Sequence, residues 1–150
     1  MDEVISNLWV GSLGDAIQEH NKILIDVRWP DEVRLQPYTN RVGVAVPTTY
    51  PLYDTEQHAS AIEASPLAMV IVADLIRVHI KHMPILVHCV LGVDRSPLTI
   101  VCYLMRHHGL SLDQAYELTQ VMHPETSPHR DWLPHYWKSF IYGGPHEQLP

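Results

Sequence analysis

Cys89 and Arg95 are the two residues in this chain best suited to do chemistry together. They lie in His88-Cys89-Val90-Leu91-Gly92-Val93-Asp94-Arg95-Ser96, an HCxxGxxRS stretch. A thiolate is a strong nucleophile, and a guanidinium offers a planar fork that can hold two phosphate oxygens at once. Gly92 between them lacks a Cβ, so it can take a positive φ and let the segment close around an anion. The apolar run Ile85-Leu86-Val87 ahead of the stretch reads as a short buried strand. Thr99 to Met105 behind it reads as a helix. A strand, a tight loop and a helix N-terminus then meet at one sulfur. The inward N–H groups of Val90, Leu91, Gly92, Val93, Asp94 and Arg95, with the positive end of the helix dipole, would cradle a phosphate. The same field would favour Cys89 as a thiolate facing phosphorus for in-line attack.

The stretch resembles the signature of the cysteine-dependent protein tyrosine phosphatases, and more closely that of the small dual-specificity branch. The opening Ile5-Ser6-Asn7-Leu8-Trp9-Val10-Gly11-Ser12 is similar to the start of those enzymes. The resemblance covers roughly residues 3 to 140. It implies an α/β fold and a cysteinyl-phosphate intermediate; no cofactor is expected, and the eleven histidines, scattered with no HExxH or CxxC pairing, read as solvated surface residues rather than metal ligands. It further implies that the Ser96 hydroxyl helps sulfur leave in the hydrolytic half-reaction and that His88 orients the loop. The family's general acid is an Asp on a separate loop, thirty-odd residues before the cysteine. Asp54, in Pro51-Leu52-Tyr53-Asp54, stands at that distance. Asp94 is a departure, because small dual-specificity enzymes usually carry a small polar residue there. An in-loop Asp resembles myotubularin-like lipid phosphatases, where it has been considered as the acid. A carboxylate so close to the sulfur should disfavour the thiolate unless it is paired or turned outward.

Ile25-Asp26-Val27-Arg28-Trp29-Pro30-Asp31-Glu32 also resembles the IDVRxPxE segment of rhodanese domains. The Cys89-to-Arg95 spacing is that of the phosphatases, so the shared segment is read as a common strand-and-loop solution.

The elements that must position these groups follow from pattern and punctuation. Val4 to Ser12 reads as an opening strand and turn, Asp15 to His20 as a short helix, and Ile23 to Val27 and Val42 to Val46 as strands. Pro47 to Thr55 reads as a loop rich in Pro and aromatics, and Ala59 to Ala64 as a helix. Ser65-Pro66 is an N-cap followed by Pro at the first helical position, opening a helix to about His82 whose apolar stripe is Leu67, Val70, Ile71, Leu75 and Val78. Gly109 is a helix C-cap. Ser111 to Gln114 forms a capping box, with Ala115, Leu118 and Val121 as the buried stripe before Pro124. Pro128 to Ile141 reads as a last helix carrying Trp132, Leu133, Tyr136, Trp137 and Phe140, and residues 143–150 as a loose tail. Strands alternating with helices predict one domain over 1–150: a central, mostly parallel sheet with helices on both faces and the loop at the carboxyl end of its strand.

The totals narrow the function classes. The formal net charge is −7, which argues against nucleic acid and anionic membranes as partners. The loop adds an anion and no second cation, so it should repel polyphosphorylated inositols and accept a single phosphate on a peptide. The expectation is a phosphotyrosine phosphatase with some phosphoserine and phosphothreonine activity. A lipid or RNA 5′-phosphatase, or a phosphate-binding module with little turnover, is the alternative. The two cysteines make no disulfide framework, and Cys102 reads as a buried helix residue rather than a redox partner of Cys89. Met1-Asp2-Glu3 lacks the basic start of a signal peptide, so a reducing, cytoplasmic setting is expected.

Overall fold

A computed structural model describes residues 1–38, 41–45, 48–49 and 63–142. A five-stranded sheet runs in the order β1-β2-β7-β3-β4, built from β1 (Asp2–Ile5), β2 (Leu8–Gly11), β3 (Ile23–Asp26), β4 (Arg41–Gly43) and β7 (Ile85–His88). A separate two-stranded ribbon joins β5 (Thr48–Thr49) to β6 (Glu63–Ala64). β7 lies between β2 and β3 and is parallel to both, and β4 is parallel to β3. Within the five-stranded sheet, among the described residues, only the β1–β2 pair is antiparallel, and the β5–β6 ribbon is antiparallel as well. The mostly parallel sheet expected from the sequence is therefore present.

All four residues of β7 are buried, as a strand covered on both faces must be. Leu86 packs with Leu24 and with Ala16 of α1 (Leu13–Gln18) on one face. Ile85 and Val87 face the larger core on the other. That core is closed by α3 (Pro66–His79), α4 (Arg95–His108), α5 (Leu112–Met122) and α6 (Trp137–Ile141). α4 is buried without interruption from Ser96 to Arg106. Each fully buried Leu, Ile or Met on it contributes roughly 1.5–3 kcal/mol, so the helix behind Cys89 is among the best-anchored parts of the molecule. Arg106 adds a polar tie: it pairs with Asp74 of α3 at 2.8 Å and donates to the carbonyls of Phe140 and Ile141 at 3.1 Å each. Among the described residues no helix is long and apolar enough to cross a membrane.

Several elements differ from expectation. The opening strand is a hairpin, β1–β2, because Asn7 takes φ 69° and turns the chain back. The first short helix starts at Leu13 because Ser12 caps it, reciprocally with Asp15. β4 ends at Gly43, short of Val46. Glu63–Ala64 is a strand where the sequence reads as a helix, and residues 59–62 lie outside the described residues. Ser65 and Pro66 open α3 as expected, but the buried face is Met69, Val72, Ala73 and Ile76; Leu67, Ile71 and Val78 are exposed. The helix is apolar nearly all round, so periodicity alone could not fix which face turns inward. On α5, Val121 is exposed, while Tyr116 and Thr119 are buried with Ala115. The last helix breaks into a 3₁₀ turn at Arg130–Trp132 and the short α6, because Pro134 cannot continue a helix. Gly109, at φ 68°, is the C-cap the sequence predicts.

Candidate active site

β7 delivers Cys89 to the carboxyl edge of the sheet, and α4 begins at Arg95. The HCxxGxxRS segment between them is a tight loop held by β2 and by the chain after α5. Gly92 has φ 74°, and a Cβ there would lie 2.7 Å from the Gly11 carbonyl carbon and 2.8 Å from its oxygen. No other residue type fits both the torsion and the space. Leu13 N–H donates to Val90 O at 3.0 Å, so the Gly11-Ser12-Leu13 turn supports the loop from beneath. From the other side Ser127 N–H donates to Val93 O at 2.9 Å.

Cys89 is 2% exposed, and its sulfur lies 3.3 Å from Ser96 Oγ. Ser96 Oγ also donates to the Gly11 carbonyl at 3.2 Å, so one hydroxyl proton can serve either acceptor. His88 is buried. Its Nδ1 donates to Cys89 O at 3.1 Å, and its Nε2 meets the Tyr38 hydroxyl, which fixes the ring. Leu91 is 73% exposed at the rim.

Arg95 is not left to solvent. Its two terminal nitrogens meet the two oxygens of Glu32 as a parallel fork, the second contact at 3.0 Å. Hydrogen bonding from Arg95, working against partial burial, holds the Glu32 carboxyl below its usual range. Glu32 sits on α2 (Pro30–Leu35), which opens with Pro30 and is capped by a Glu32 bond to the Trp29 N–H at 2.9 Å. α2 is tethered in turn by Arg28, which is fully buried. Arg28 forks Asp26 at 2.8 and 3.0 Å and donates to the carbonyls of Glu32 and Gln36 at 3.3 and 3.0 Å. The IDVRxPxE segment is thus a chain of contacts from the sheet to the loop arginine.

Two histidines from the segment after α5 also reach the loop. His123 Nε2 lies 2.7 Å from Gly92 O, while its Nδ1 faces Asp2 at 2.5 Å and Glu125 at 3.2 Å. All the groups opposite this ring are acceptors. Asp2, His123 and Glu125 are the one group among the described residues whose donor spacing would suit a metal ion, but the direct nitrogen–oxygen contact makes them a hydrogen-bonded link. His129 Nε2 lies 2.6 Å from Asp94 Oδ1, so the in-loop carboxylate is paired.

Of the residues singled out from the sequence, His88, Cys89, Val90, Leu91, Gly92, Val93, Asp94, Arg95 and Ser96 are brought together. Asp54 lies outside the described residues. Burial pushes the Cys102 thiol up to about 12, which makes it inert. Sequence reasoning missed Glu32, Tyr38, His123 and His129. Only Glu32 carried a signal, as the last residue of the rhodanese-like segment.

Similarity to known proteins agrees with this geometry. The dual specificity phosphatase catalytic-domain model matches residues 43–137. Tyrosine-protein phosphatase MSG5 of Saccharomyces cerevisiae is 46% identical over 50 residues, 33% of this chain and 10% of that protein. Human dual specificity protein phosphatase 16 is 37% identical over 49 residues, 33% of this chain and 7% of that protein. The match thus spans a tenth or less of either relative. Among solved structures, the human tyrosine phosphatase-like serine/threonine/tyrosine-interacting protein superposes with a TM-score of 0.66 at 16% identity, covering 88% of this chain and 89% of that one. Human DUSP28 does so with a TM-score of 0.64 at 19% identity, covering 95% of each. At these identities the superpositions establish the fold, and the matched segment adds the family. This chain belongs to the dual specificity phosphatase catalytic-domain family.

Proposed function

We propose that the chain hydrolyses phosphate monoesters on proteins, phosphotyrosine above all and phosphoserine or phosphothreonine to a lesser degree. The observation that carries this is the shared position of a buried sulfur, a forked guanidinium and a helix N-terminus on one loop. The Cys89 thiolate attacks phosphorus and forms an S–P bond while the ester oxygen departs. N–H groups of the loop and the Arg95 guanidinium stabilise charge on the three equatorial oxygens. Asp54 supplies the proton to the leaving oxygen. Water then gives a proton to the Asp54 carboxylate and attacks phosphorus, the S–P bond breaks, and Ser96 Oγ, 3.3 Å from the sulfur, donates a hydrogen bond to the departing thiolate. The exposed Leu91 suits an aromatic ring at the rim, and a net charge of −7 disfavours polyphosphorylated lipids and RNA ends. A thiolate nucleophile suits a reducing compartment such as the cytoplasm.

The test is turnover of para-nitrophenyl phosphate, blocked by vanadate, followed by a panel of phosphotyrosine, phosphoserine and phosphothreonine peptides against phosphoinositides. Preference for a phosphoinositide would overturn the substrate class. Comparison of Asp54→Ala with Asp94→Ala tests the acid: kcat should fall by roughly 10²–10⁴-fold in the first and far less in the second. The reverse order would move the acid into the loop. Glu32→Gln should lower kcat/KM by about 10²-fold, since a guanidinium displaced by about 1 Å no longer matches the developing charge. Steady-state kinetics within twofold of wild type would show that Arg95 holds itself.

A further inference from the structure

Asp94 is an anion built into an anion-binding loop, and the structure shows how it is kept from blocking that loop. Asp94 is the N-cap residue of α4. An aspartate there ordinarily turns its carboxylate onto the N–H of the second or third helical residue. The third is Pro97, which has none. The donors left are those of Arg95 and Ser96, at the mouth of the space a phosphate would occupy. Asp94 makes no such bond, and its backbone is αR (φ −114°, ψ −69°) rather than the extended conformation a capping side chain uses. Its carboxylate goes instead to His129 Nε2 at 2.6 Å.

His129 is itself fixed. Its ring stacks on Trp132 at 3.7 Å between centroids and 18° between planes. The His129 backbone N–H donates to the Tyr116 hydroxyl at 3.0 Å. The preceding Ser127 binds the loop through Val93 O. Trp132 and Tyr116 are both buried in the main core.

We infer that His129 is a positioning residue that holds the Asp94 carboxylate off the N-terminus of α4 and so keeps the loop's N–H donors open for phosphate. The inference rests on the phosphatase function proposed above. Without the imidazole, Asp94 rotates onto the Arg95 and Ser96 N–H groups and competes with the substrate dianion, both by occupying donors and by charge. The effect therefore falls first on phosphate affinity.

The experiment measures tungstate binding, as a phosphate mimic, by titration calorimetry on wild type, His129→Phe, Asp94→Ala and the double variant. KM and kcat for para-nitrophenyl phosphate are measured alongside. Phe keeps a ring to stack on Trp132 and removes only the hydrogen bond. His129→Phe should weaken tungstate roughly tenfold and raise KM more than it lowers kcat. Asp94→Ala should bind tungstate at least as tightly as wild type, and the double variant should match Asp94→Ala within twofold. Three results would overturn the inference: tungstate affinity unchanged in His129→Phe, a loss that persists in the double variant, or tenfold weaker binding in Asp94→Ala alone. The last needs no substitution at His129, so it decides even where His129→Phe fails to fold. Wild-type protein that binds no tungstate would sink the phosphatase proposal itself; wild-type binding with no effect of His129→Phe would sink only this one.

Discussion

Cys89→Ser is expected to lower kcat on para-nitrophenyl phosphate by a factor on the order of 10⁴ or more while leaving the fold and phosphate affinity largely intact. The scale follows from what loss of a covalent nucleophile costs when no second group can take its place. Among the described residues no other cysteine offers itself, because Cys102 is buried on α4 with its thiol pushed up to about 12. A serine hydroxyl fits where the sulfur sits, 3.3 Å from Ser96 Oγ, so packing changes little. The loop N–H groups and the Glu32-forked Arg95 are untouched. The variant should therefore still bind tungstate within a few-fold of the wild-type affinity. Stopped-flow and long-time-course assays would check the rate, and calorimetry the binding. Turnover within tenfold of wild type would mean that phosphorus is attacked by something other than Cys89.

The second large effect is on stability. Asp26→Ala is expected to destabilise the protein by about 3–5 kcal/mol, the usual consequence of stranding one member of a buried ion pair. At this chain length that corresponds to a drop in Tm of roughly 10 °C. Both side chains are fully buried, and Arg28 loses its backbone hydrogen bond and two of its four guanidinium hydrogen bonds. Burial works against the Asp26 charge, but the side-chain and backbone hydrogen bonds from Arg28 outweigh it and hold the carboxyl below the usual range. A depressed folded-state value stabilises the protein at any pH above the unfolded value of about 3.9, and that contribution is lost as pH falls through the folded value. The acid limb of the wild-type stability curve should flatten in Asp26→Ala. The double variant Asp26→Ala/Arg28→Met should recover part of the stability, because it removes the stranded charge. It should not recover activity, because α2 then loses the Arg28 bonds that keep Glu32 opposite Arg95. Thermal and urea unfolding across pH, with kinetics on the same samples, would check both; an Asp26→Ala variant melting within 2 °C of wild type would show that the pair does not hold α2.

These two sites show where local sequence suffices and where it does not. Cys89, Gly92, Arg95 and Ser96 were legible because a strand–loop–helix junction of this kind is a local object. Its donors come from consecutive N–H groups, its turn needs one glycine, and its charge comes from one arginine a fixed distance on. The alternation of strands and helices that carries it was legible for the same reason. Boundaries set by caps survived best, at Ser65, Gly109 and Ser111, since a cap depends on residues within one turn.

What only the tertiary structure decided is the company the loop keeps. Glu32 reaches Arg95 across 63 residues, and His129 reaches Asp94 across 35. No periodicity encodes such contacts, because they depend on how α2 and the segment after α5 pack around β7. The buried face of α3 was settled the same way: a helix apolar nearly all round turns inward whichever face fills the space beside α4. The sequence by itself determined that Cys89 and Arg95 stand on one tight loop between a buried strand and a helix N-terminus. Packing decided that Glu32 forks the Arg95 guanidinium and that His129 pairs with the loop's own aspartate.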